Sequence, residues 1–426
     1  MSSTRVFAHH SEPFDATVVP PGDKSLGHRA LILAAIAEGD SVVANTSSGA
    51  DVASTRAATA LLGVEYADDH VTSPGIGAWS TPALPLDCGN SGTTMRLLVG
   101  AISGSPISAT LIGDPSLLRR PMRRVVDPLA ALGADVTVTE TGTAPVRIRG
   151  THLRGAKVSI PMASAQVRTA VALAALSADG TTLIESPAGF RDHTERWLTH
   201  LGLGRIESPT EFLVMPNPVP PLQIKLPADP SSAAFLWAAA AVSEGSRIVT
   251  PGVSLNPGRV GFLEILEQMG ARVTVEPDAP LMGDPVGTVT VEAGGLVGIE
   301  VHGDLVARSL DEIPLLAVVA AAADGPTVVN DAGELRVKES DRIATSVALA
   351  RVAGAEAKPT PDGFIVDPRP GQRHERIAID AGGDHRVAMA AAIACLVRAS
   401  TVDVTGFEVA DISWPGFAEI LAGLWS

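Results

Sequence analysis

The chain has 426 residues, which is more than one hydrophobic core usually holds and favours two domains. Its net charge of −15 disfavours a protein that binds nucleic acid or anionic membranes, because both need basic surfaces. Hydrophobic residues make up 46% of the chain and aromatic residues only 4%, so Ala, Val, Leu and Ile must fill the cores.

The two cysteines, Cys88 and Cys395, share no spacing typical of a disulfide framework or a zinc site. The first residues, MSSTRVFAHHSEP, lack the apolar core of a signal peptide. The longest uncharged apolar runs reach about half of the ~20 residues that a membrane helix needs. These features predict a cytoplasmic protein without a metal.

Residues 21–38 predict a helix that is apolar on nearly every side and must therefore be buried. Five more stretches share this layout, with Ser or Asp in the N-cap role before an Ala-rich run; they begin near Ser91, Ser164, Ser231, Asp311 and Asp384. The first turn of a helix carries unpaired N–H groups and partial positive charge, which attract phosphate and carboxylate. We therefore expect the buried helices to present their first turns to an anionic ligand.

A second set of helices with one polar face alternates with the buried set, at residues 51–62, 121–132, 192–201, 258–269, 340–352 and 415–422. Each ends at a glycine, which enters the left-handed C-cap conformation easily: Gly63, Gly133, Gly202, Gly270, Gly354 and Gly423. Two short strands follow five of these glycines. The spacing of about 70 residues indicates a repeat of strand, buried helix, strand, outer helix and hairpin.

The sixth repeat ends without a hairpin, and the N-terminus carries two strand-like runs, 5–8 and 16–19, with no helix before them. If these runs complete the sixth repeat, residues 1–20 and 228–426 form one domain and residues 21–227 form the other. Hinges are then expected near 20–21 and 227–230. With three repeats in each domain, the buried helices are predicted to face each other across a cleft.

Two motifs stand at the starts of buried helices. GDKSLGHR, residues 22–29, lacks the Walker P-loop spacing but offers Lys24 as a point charge and Arg29 as a planar fork for phosphate or carboxylate. A capped helix with two solvated cations is the alternative interpretation. GNSGTTMR, residues 89–96, allows a ligand to approach the backbone, and Arg96 requires a partner if it is buried.

Two charged clusters precede outer helices. In GDPSLLRRPMRR, residues 113–124, Arg120 directly precedes Pro121, a natural first residue of a helix, and is expected at the rim of the cleft. In ELRVKESDR, residues 334–342, Glu339 lies beside Lys338. Neighbouring charges tune the proton affinity of such a carboxylate, as general acid–base catalysis requires.

Eight motifs in order, PGDKSLGHRA, GNSGTTMRLL, GDPSLLRRPM, ASAQVRTA, RDHTER, DEIP, ELRVKESDR and GDHRVAMA, closely resemble the signatures of the 5-enolpyruvylshikimate-3-phosphate synthase family. The match spans residue 21 to about residue 417. It implies an α/β (α+β) fold, a two-domain inside-out α/β barrel of six βαβαββ repeats with three in each domain. The implied reaction moves the enolpyruvyl group of phosphoenolpyruvate to the 5-hydroxyl of shikimate 3-phosphate, without a metal or organic cofactor, in a protein expected to be a monomer.

The same resemblance assigns residues to substrates. Shikimate 3-phosphate would be bound by Lys24, Ser25, Arg29, Ser164, Ala165, Gln166, Arg191, Asp311 and Lys338. Phosphoenolpyruvate would be bound by Lys24, Gly92, Arg120, Gln166, Arg342 and Arg386. Asp311 is the expected base at the hydroxyl, and Glu339 is expected to carry protons at the methyl carbon. Lys24 would stabilise charge or share that proton transfer.

The sequence departs from the family pattern at three positions: Gly27, Phe190 and Ile412 replace a frequent Ser, a frequent Ser or Thr, and a Lys of some members. Two other functions are considered. The sister enzyme that acts on UDP-N-acetylglucosamine usually carries a reactive Cys in the loop that corresponds to residues 113–124, and this loop has none. A non-catalytic repeat protein that only binds an anion would not need Asp311 and Glu339.

Overall fold

The computed structural model describes residues 3–188, 191–369, 376–397 and 401–425. Contacts divide the chain into two compact units. Unit 1 comprises Met1–Pro21, Ala228–Ala279 and Pro285–Ser426, and unit 2 comprises Gly22–Pro227 and Pro280–Asp284. The predicted boundaries put residues 280–284 in the first domain, whereas their contacts group them with unit 2. The chain therefore passes between the units four times and not twice.

The α-helices of the described residues, in chain order from α1 to α13, are Lys24–Ile36, Ala50–Ala60, Gly92–Ser103, Arg123–Ala130, Ala165–Ala175, His193–His200, Pro230–Val242, Gly261–Met269, Asp304–Arg308, Ile313–Ala320, Arg342–Val352, His385–Val397 and Phe417–Gly423. Short 3₁₀ helices lie at Ile76–Ala78, Leu117–Arg119, Gly333–Val337 and Phe407–Ile412.

The strands, from β1 to β23, are Thr4–Ala8, Asp15–Thr17, Glu38–Ala44, Glu65–Ala67, His70–Pro74, Leu86–Asp87, Ser108–Ile112, Asp135–Thr137, Val146–Arg149, Lys157–Ser159, Thr182–Glu185, Gly204–Ser208, Glu211–Val214, Gln223–Lys225, Arg247–Ser254, Arg272–Pro277, Val286–Glu292, Glu300–Val301, Thr327–Val329, Ala355–Pro359, Phe364–Pro368, Ile377–Asp380 and Thr401–Thr405.

Within the described residues each unit contains three sheets, and in five of the six a parallel strand pair continues into an antiparallel hairpin. The strand orders in unit 2 are β14-β3-β5-β4, β6-β7-β9-β8 and β10-β11-β13-β12. Those in unit 1 are β16-β17-β15-β2, β18-β19-β21-β20 and the three-stranded β1-β23-β22. The predicted α/β (α+β) fold with six βαβαββ repeats is confirmed.

The pairing of the N-terminal strands differs from the prediction. β1 pairs antiparallel with β23 and adds to the sixth repeat as expected. β2 instead pairs parallel with β15, with Ala16 opposite Ile248, and so supplies the first strand of the fourth repeat. In the same way β14, from the end of unit 2, pairs parallel with β3 and supplies the first strand of the first repeat.

The six predicted buried helices are α1, α3, α5, α7, α10 and α12. In unit 2, Gly100 of α3 lies so close to α5 that an added Cβ would stand 2.0 Å from the carbonyl oxygen of Ala170. Two expected N-caps are wrong, because α7 begins at Pro230 after Asp229, and the N-cap residue of α10 is Glu312. Proline suits the first helical position, which explains why α7 begins at Pro230, before the predicted cap Ser231.

Five of the six predicted C-terminal glycines have positive φ: Gly63, Gly133, Gly202, Gly270 and Gly354. Gly423 is the exception, because it is the last residue of α13 and Leu424 continues in right-handed helical conformation. Within the described residues, no helix is long and apolar enough to cross a membrane.

Candidate active site

In unit 2, the start of α1 gathers the charged residues of the first motif. Asp23 caps the helix, and its carboxylate accepts a hydrogen bond of 2.9 Å from the amide of Leu26. The Nζ of Lys24 lies 2.9 Å from Asp51 Oδ2, and both side chains are partly buried. Lys24 is therefore ion-paired on a neighbouring helix, which excludes the interpretation of a fully solvated cation.

Arg29 lies one turn further along α1 and is buried. Its guanidinium donates to Thr194 Oγ1 at 2.8 Å, to Thr169 Oγ1 at 3.0 Å and to the carbonyl oxygen of Ser25 at 2.9 Å. These acceptors belong to α6, α5 and α1, so the orientation of Arg29 depends on three helices. These three acceptors are neutral oxygens of two hydroxyl groups and one backbone carbonyl.

The start of α3 collects a second group of predicted residues. Arg96 donates at 2.5 Å to the side-chain oxygen of Gln166, and the side-chain nitrogen of Gln166 donates at 2.9 Å to Thr93 Oγ1. Arg120 donates at 2.9 Å to Asn90. An added Cβ at Gly92 would stand 3.1 Å from a guanidinium nitrogen of Arg96 and 3.3 Å from one of Arg120. Gly92 therefore lies against two guanidinium groups at the first turn of a helix.

The remaining predicted residues of unit 2 lie at two other helix starts. Ser164 is the N-cap residue of α5, although its side chain makes no capping hydrogen bond, and Ala165 is the first residue of that helix. Arg191 directly precedes Asp192, the N-cap residue of α6. Phe190 lies outside the described residues.

A buried chain of hydrogen bonds connects α1, α2 and α3. His28 Nδ1 is 2.7 Å from Thr55 Oγ1, and this hydroxyl is 2.7 Å from Thr94 Oγ1. Thr94 donates to the Oγ of Ser91, the N-cap of α3, at 2.7 Å. Burial, opposed by Asp51 and assisted by Lys24 and Arg29, lowers the pKa of His28 to about 3. His28 is therefore neutral near pH 7.

We expect His28 to make unit 2 sensitive to acid. The pKa of His28 is about 3 in the folded protein and 6.5 ordinarily, so the unfolded chain binds the proton more tightly. Stability is then complete above about pH 6.5 and falls as the pH drops below that value. Between pH 7.5 and pH 5, the wild type should lose roughly 2 kcal/mol more of its unfolding free energy than His28→Asn.

Urea unfolding at the two pH values measures this difference. His152→Asn is the matched control, because His152 is exposed in the same unit, and it should retain the pH dependence of the wild type. An equal loss of stability in His28→Asn and in the wild type would contradict the prediction.

In unit 1, Arg342 is the centre of a charged cluster. Its guanidinium lies 2.8 Å from Asp384 Oδ2, 2.8 Å from Glu339 Oε2 and 3.4 Å from Asp311 Oδ1. Arg386 lies 3.2 Å from Glu312 Oε1 and 3.6 Å from Asp311 Oδ2. The structure thus brings together four predicted residues from three separate stretches of the sequence: Asp311, Glu339 with Arg342, and Arg386.

The acids of this cluster differ in accessibility. The side chain of Asp384 has no exposed surface, whereas Asp311 is 16% exposed and Glu339 is 22% exposed. Asp384 accepts two hydrogen bonds from Arg342, at 2.8 and 3.1 Å, and one of 2.9 Å from Ser340. Asp384 therefore holds Arg342 in place, while Asp311 and Glu339 can reach a ligand.

The charge states follow from these contacts. Burial alone would lower the pKa of Arg342, but Asp384 and Glu339 raise that pKa above its usual range. Burial alone would raise the pKa of Asp384, but the charge and hydrogen bonds of Arg342 hold that pKa well below its usual range. Burial lowers the pKa of Lys338, against the opposing charge of Asp311. Arg342 and Asp384 are thus a permanent ion pair at neutral pH.

Sequence reasoning missed two residues that shape these clusters, Asn90 and Glu312, and it predicted Asp384 only as the N-cap of a buried helix. Asn90 and Asp384 stand in motifs beside predicted residues, and Glu312 follows Asp311, but nothing in the sequence identifies their partners. Ile412 ends the 3₁₀ helix Phe407–Ile412. Among the described residues, no group of three or more His, Cys, Asp or Glu is arranged to hold a metal ion.

Comparison with known proteins covers nearly the whole chain. The family model described as EPSP synthase (3-phosphoshikimate 1-carboxyvinyltransferase) matches residues 9–421. A protein of Herpetosiphon aurantiacus named 3-phosphoshikimate 1-carboxyvinyltransferase is 42% identical over 417 residues, which cover 96% of each chain. A protein of Roseiflexus castenholzii with the same name is 46% identical over 411 residues, covering 94% of this chain and 95% of the relative.

Solved structures have the same fold. The EPSP synthase from Acinetobacter baumannii matches with a TM-score of 0.88 and 36% identity, covering 99% of this chain and 98% of that one. The enolpyruvyl transferase NikO from Streptomyces tendae matches with a TM-score of 0.79 at 18% identity, over 100% of this chain and 98% of that one, and so shows the fold alone. The length of these matches and the identity of the relatives lead to one conclusion: the chain belongs to the EPSP synthase family.

Proposed function

We infer that this protein is a transferase that moves the enolpyruvyl group of phosphoenolpyruvate to the 5-hydroxyl of shikimate 3-phosphate and releases phosphate, a step of the shikimate pathway. The observation that carries this function is that Asp311 and Glu339 both form ion pairs with the buried Arg342, in a chain of this family. Two accessible acids beside permanent cations suit a reaction between anions that also needs proton transfer.

The proposed binding residues follow the helix starts described above. For shikimate 3-phosphate we propose Lys24, Ser25, Arg29, Ser164, Ala165, Gln166, Arg191, Asp311 and Lys338. For phosphoenolpyruvate we propose Lys24, Gly92, Arg120, Gln166, Arg342 and Arg386. The contacts support this division, because Arg29 is directed by neutral oxygens and Gly92 lies against two guanidinium groups.

The reaction consists of an addition step and an elimination step, and each needs two proton transfers. In the addition step, Asp311 takes the proton of the 5-hydroxyl while the hydroxyl oxygen bonds to C2 of phosphoenolpyruvate. Glu339 gives a proton to C3. In the elimination step, Glu339 takes a methyl proton back and the bond from C2 to the phosphate oxygen breaks. Asp311 returns its proton to the leaving phosphate, so both acids regain their starting states. Lys24 stabilises negative charge on the reacting groups. Arg342 lies beside both acids, 3.4 Å from Asp311 Oδ1 and 2.8 Å from Glu339 Oε2.

The two other functions fit this chain less well. The free thiols of Cys88 and Cys395 are buried, and burial raises the pKa of both, so neither is a reactive thiol of the kind that the sister enzyme usually carries. A protein that only binds anions would gain nothing from Asp311 and Glu339, because carboxylates repel its ligand. We also propose that the protein is a cytoplasmic monomer, which light scattering of the purified protein would test for oligomeric state.

The decisive experiment measures phosphate release from phosphoenolpyruvate by the purified protein with shikimate 3-phosphate, with UDP-N-acetylglucosamine and with neither. We expect release only with shikimate 3-phosphate, together with a product whose mass equals the two substrates minus phosphate. Release that depends on UDP-N-acetylglucosamine would favour the sister activity. No release under any condition would favour a non-catalytic protein.

A further inference from the structure

Residues 280–284, here called the strap, lie between β16 and β17 in the sequence but belong to unit 2 by their contacts. Leu281 and Asp284 close the strap with two backbone hydrogen bonds of 2.9 and 2.8 Å. Met282 is buried in the hydrophobic core of unit 2. The strap is therefore an ordered part of that unit and not a free loop.

The strap ends in a buried hydrogen bond between Asp284 and His193 of α6. Asp284 Oδ2 lies 2.9 Å from His193 Nδ1, and neither side chain has any exposed surface. Arg196, one turn further along α6, donates at 3.1 Å to the carbonyl oxygen of Gly283. Two residues of α6 thus contact two residues of the strap. Breaking the contact between His193 and Asp284 is costly, because the buried carboxylate would lose a hydrogen-bond partner.

The first turn of α6 connects the strap to Arg29. His193 contacts Asp284, and the next residue, Thr194, accepts the 2.8 Å hydrogen bond from Arg29. The hydroxyl of Thr194 is also 2.6 Å from that of Thr169 on α5. Glu195 forms a buried ion pair of 2.7 Å with Arg168, also on α5. Three consecutive residues of α6 therefore each fix a different neighbour.

α6 alone cannot keep its first turn in a fixed position. α6 has eight residues, and its N-cap residue, Asp192, makes no side-chain capping hydrogen bond. The carboxylate of Asp192 instead accepts from Arg196 at 2.8 Å. Isolated helices of this length are unstable, so contacts from outside must hold the first turn. The strap provides one of these contacts, at His193, the residue before Thr194.

We propose that Asp284 is a positioning residue for shikimate 3-phosphate, which acts through His193 and Thr194 on the guanidinium of Arg29. The proposal rests on the proposed function, since it assigns Arg29 to that substrate. Asp284 touches no substrate itself. When the Asp284 carboxylate is lost, the first turn of α6 shifts, and the guanidinium of Arg29, which donates to Thr194 there, changes its orientation toward the ligand.

The test is the binding of shikimate 3-phosphate to Asp284→Asn, measured by calorimetry without phosphoenolpyruvate, followed by steady-state kinetics. We expect the Kd and the KM for shikimate 3-phosphate to rise about tenfold, the equivalent of one hydrogen bond to a charged group. The KM for phosphoenolpyruvate and the kcat should change less than about threefold. A merely structural role would alter both KM values or neither.

Asp278→Asn is the matched control, because it makes the same substitution at an exposed residue shortly before the strap, and it should bind like the wild type. In an Arg29→Lys background, Asp284→Asn should have no further effect on the Kd, since the two residues act in one path. Thr194→Val breaks the same path at its other end and replaces Asp284→Asn if that variant does not fold.

Wild-type affinity for shikimate 3-phosphate in Asp284→Asn or Thr194→Val would overturn the proposal. So would an equal rise of the Kd in the Arg29→Lys background. The wild-type protein reports separately on the proposed function: if it does not bind shikimate 3-phosphate at all, that function and the positioning role fall together. If it binds and the variants bind equally well, only the positioning role falls.

Discussion

Asp311→Asn and Glu339→Gln are each expected to lower kcat by about 10²–10⁴-fold, the usual contribution of a general acid or base. The KM values should stay within about fivefold of the wild type, because each substitution keeps the size of the side chain. Arg342 keeps both hydrogen bonds to Asp384 in either variant, so its position should not change. Steady-state phosphate release at varied concentrations of each substrate measures these effects.

Exchange of hydrogen at C3 of phosphoenolpyruvate separates the roles of the two acids. If Glu339 adds and removes the methyl proton, the wild type in heavy water should place deuterium into recovered phosphoenolpyruvate when shikimate 3-phosphate is present. Glu339→Gln should lose this exchange. Mass spectrometry of the recovered substrate measures the deuterium content.

Glu334→Gln is the control for these variants, since Glu334 is exposed in the neighbouring 3₁₀ helix Gly333–Val337. It should retain wild-type turnover and exchange. Near-normal kcat in Asp311→Asn or in Glu339→Gln would remove that residue from the proposed mechanism. Normal exchange in Glu339→Gln would assign the methyl proton to another group, of which Lys24 is the candidate.

Asp384→Asn is expected to cost about 3–5 kcal/mol of unfolding free energy, because it leaves the buried Arg342 without its main counter-charge. Both side chains are nearly inaccessible, at 0% and 1% exposure, so water cannot replace the lost partner. The pKa of Asp384 is held below its ordinary value of 3.8, so the pair stabilises the protein above about pH 4 and is lost only in stronger acid. Urea unfolding at pH 7 therefore measures its full effect.

The matched control is Asp367→Asn, which breaks an exposed pair with Arg369 in the same unit. Surface pairs contribute little, so this variant should lose less than about 1 kcal/mol. If Asp384→Asn loses no more than Asp367→Asn, Arg342 does not depend on Asp384. Activity should fall together with stability in Asp384→Asn, since Arg342 is also a proposed ligand of phosphoenolpyruvate.

Local patterns in the sequence predicted the helices well, because burial on all sides leaves a run of apolar residues that can be read directly. The same patterns predicted which helix starts carry charge, as at Lys24, Arg29 and Arg386. Local sequence does not identify the residue with which a charged side chain pairs. Arg96 required a partner, but only the fold identifies Gln166, which is 70 positions away.

The sequence also does not predict which sheet a short strand joins when its partners lie far away in the chain. β2 and β14 are three-residue strands, too short to show a periodic pattern, and each joins a sheet whose other strands lie elsewhere in the chain. The strap was assigned to the wrong unit for the same reason. Its membership depends on His193 and the core around Met282, and not on its neighbours in the sequence.

The strap also determines which fragment of the chain contains all of unit 2. A fragment that encodes residues 22–227 would contain all three sheets of unit 2, including β14, yet it would end before Asp284. His193 would then face an empty space in that fragment, and the core would lose Met282. Any attempt to express the unit alone therefore has to graft these five residues back, as a short extension or a separate peptide.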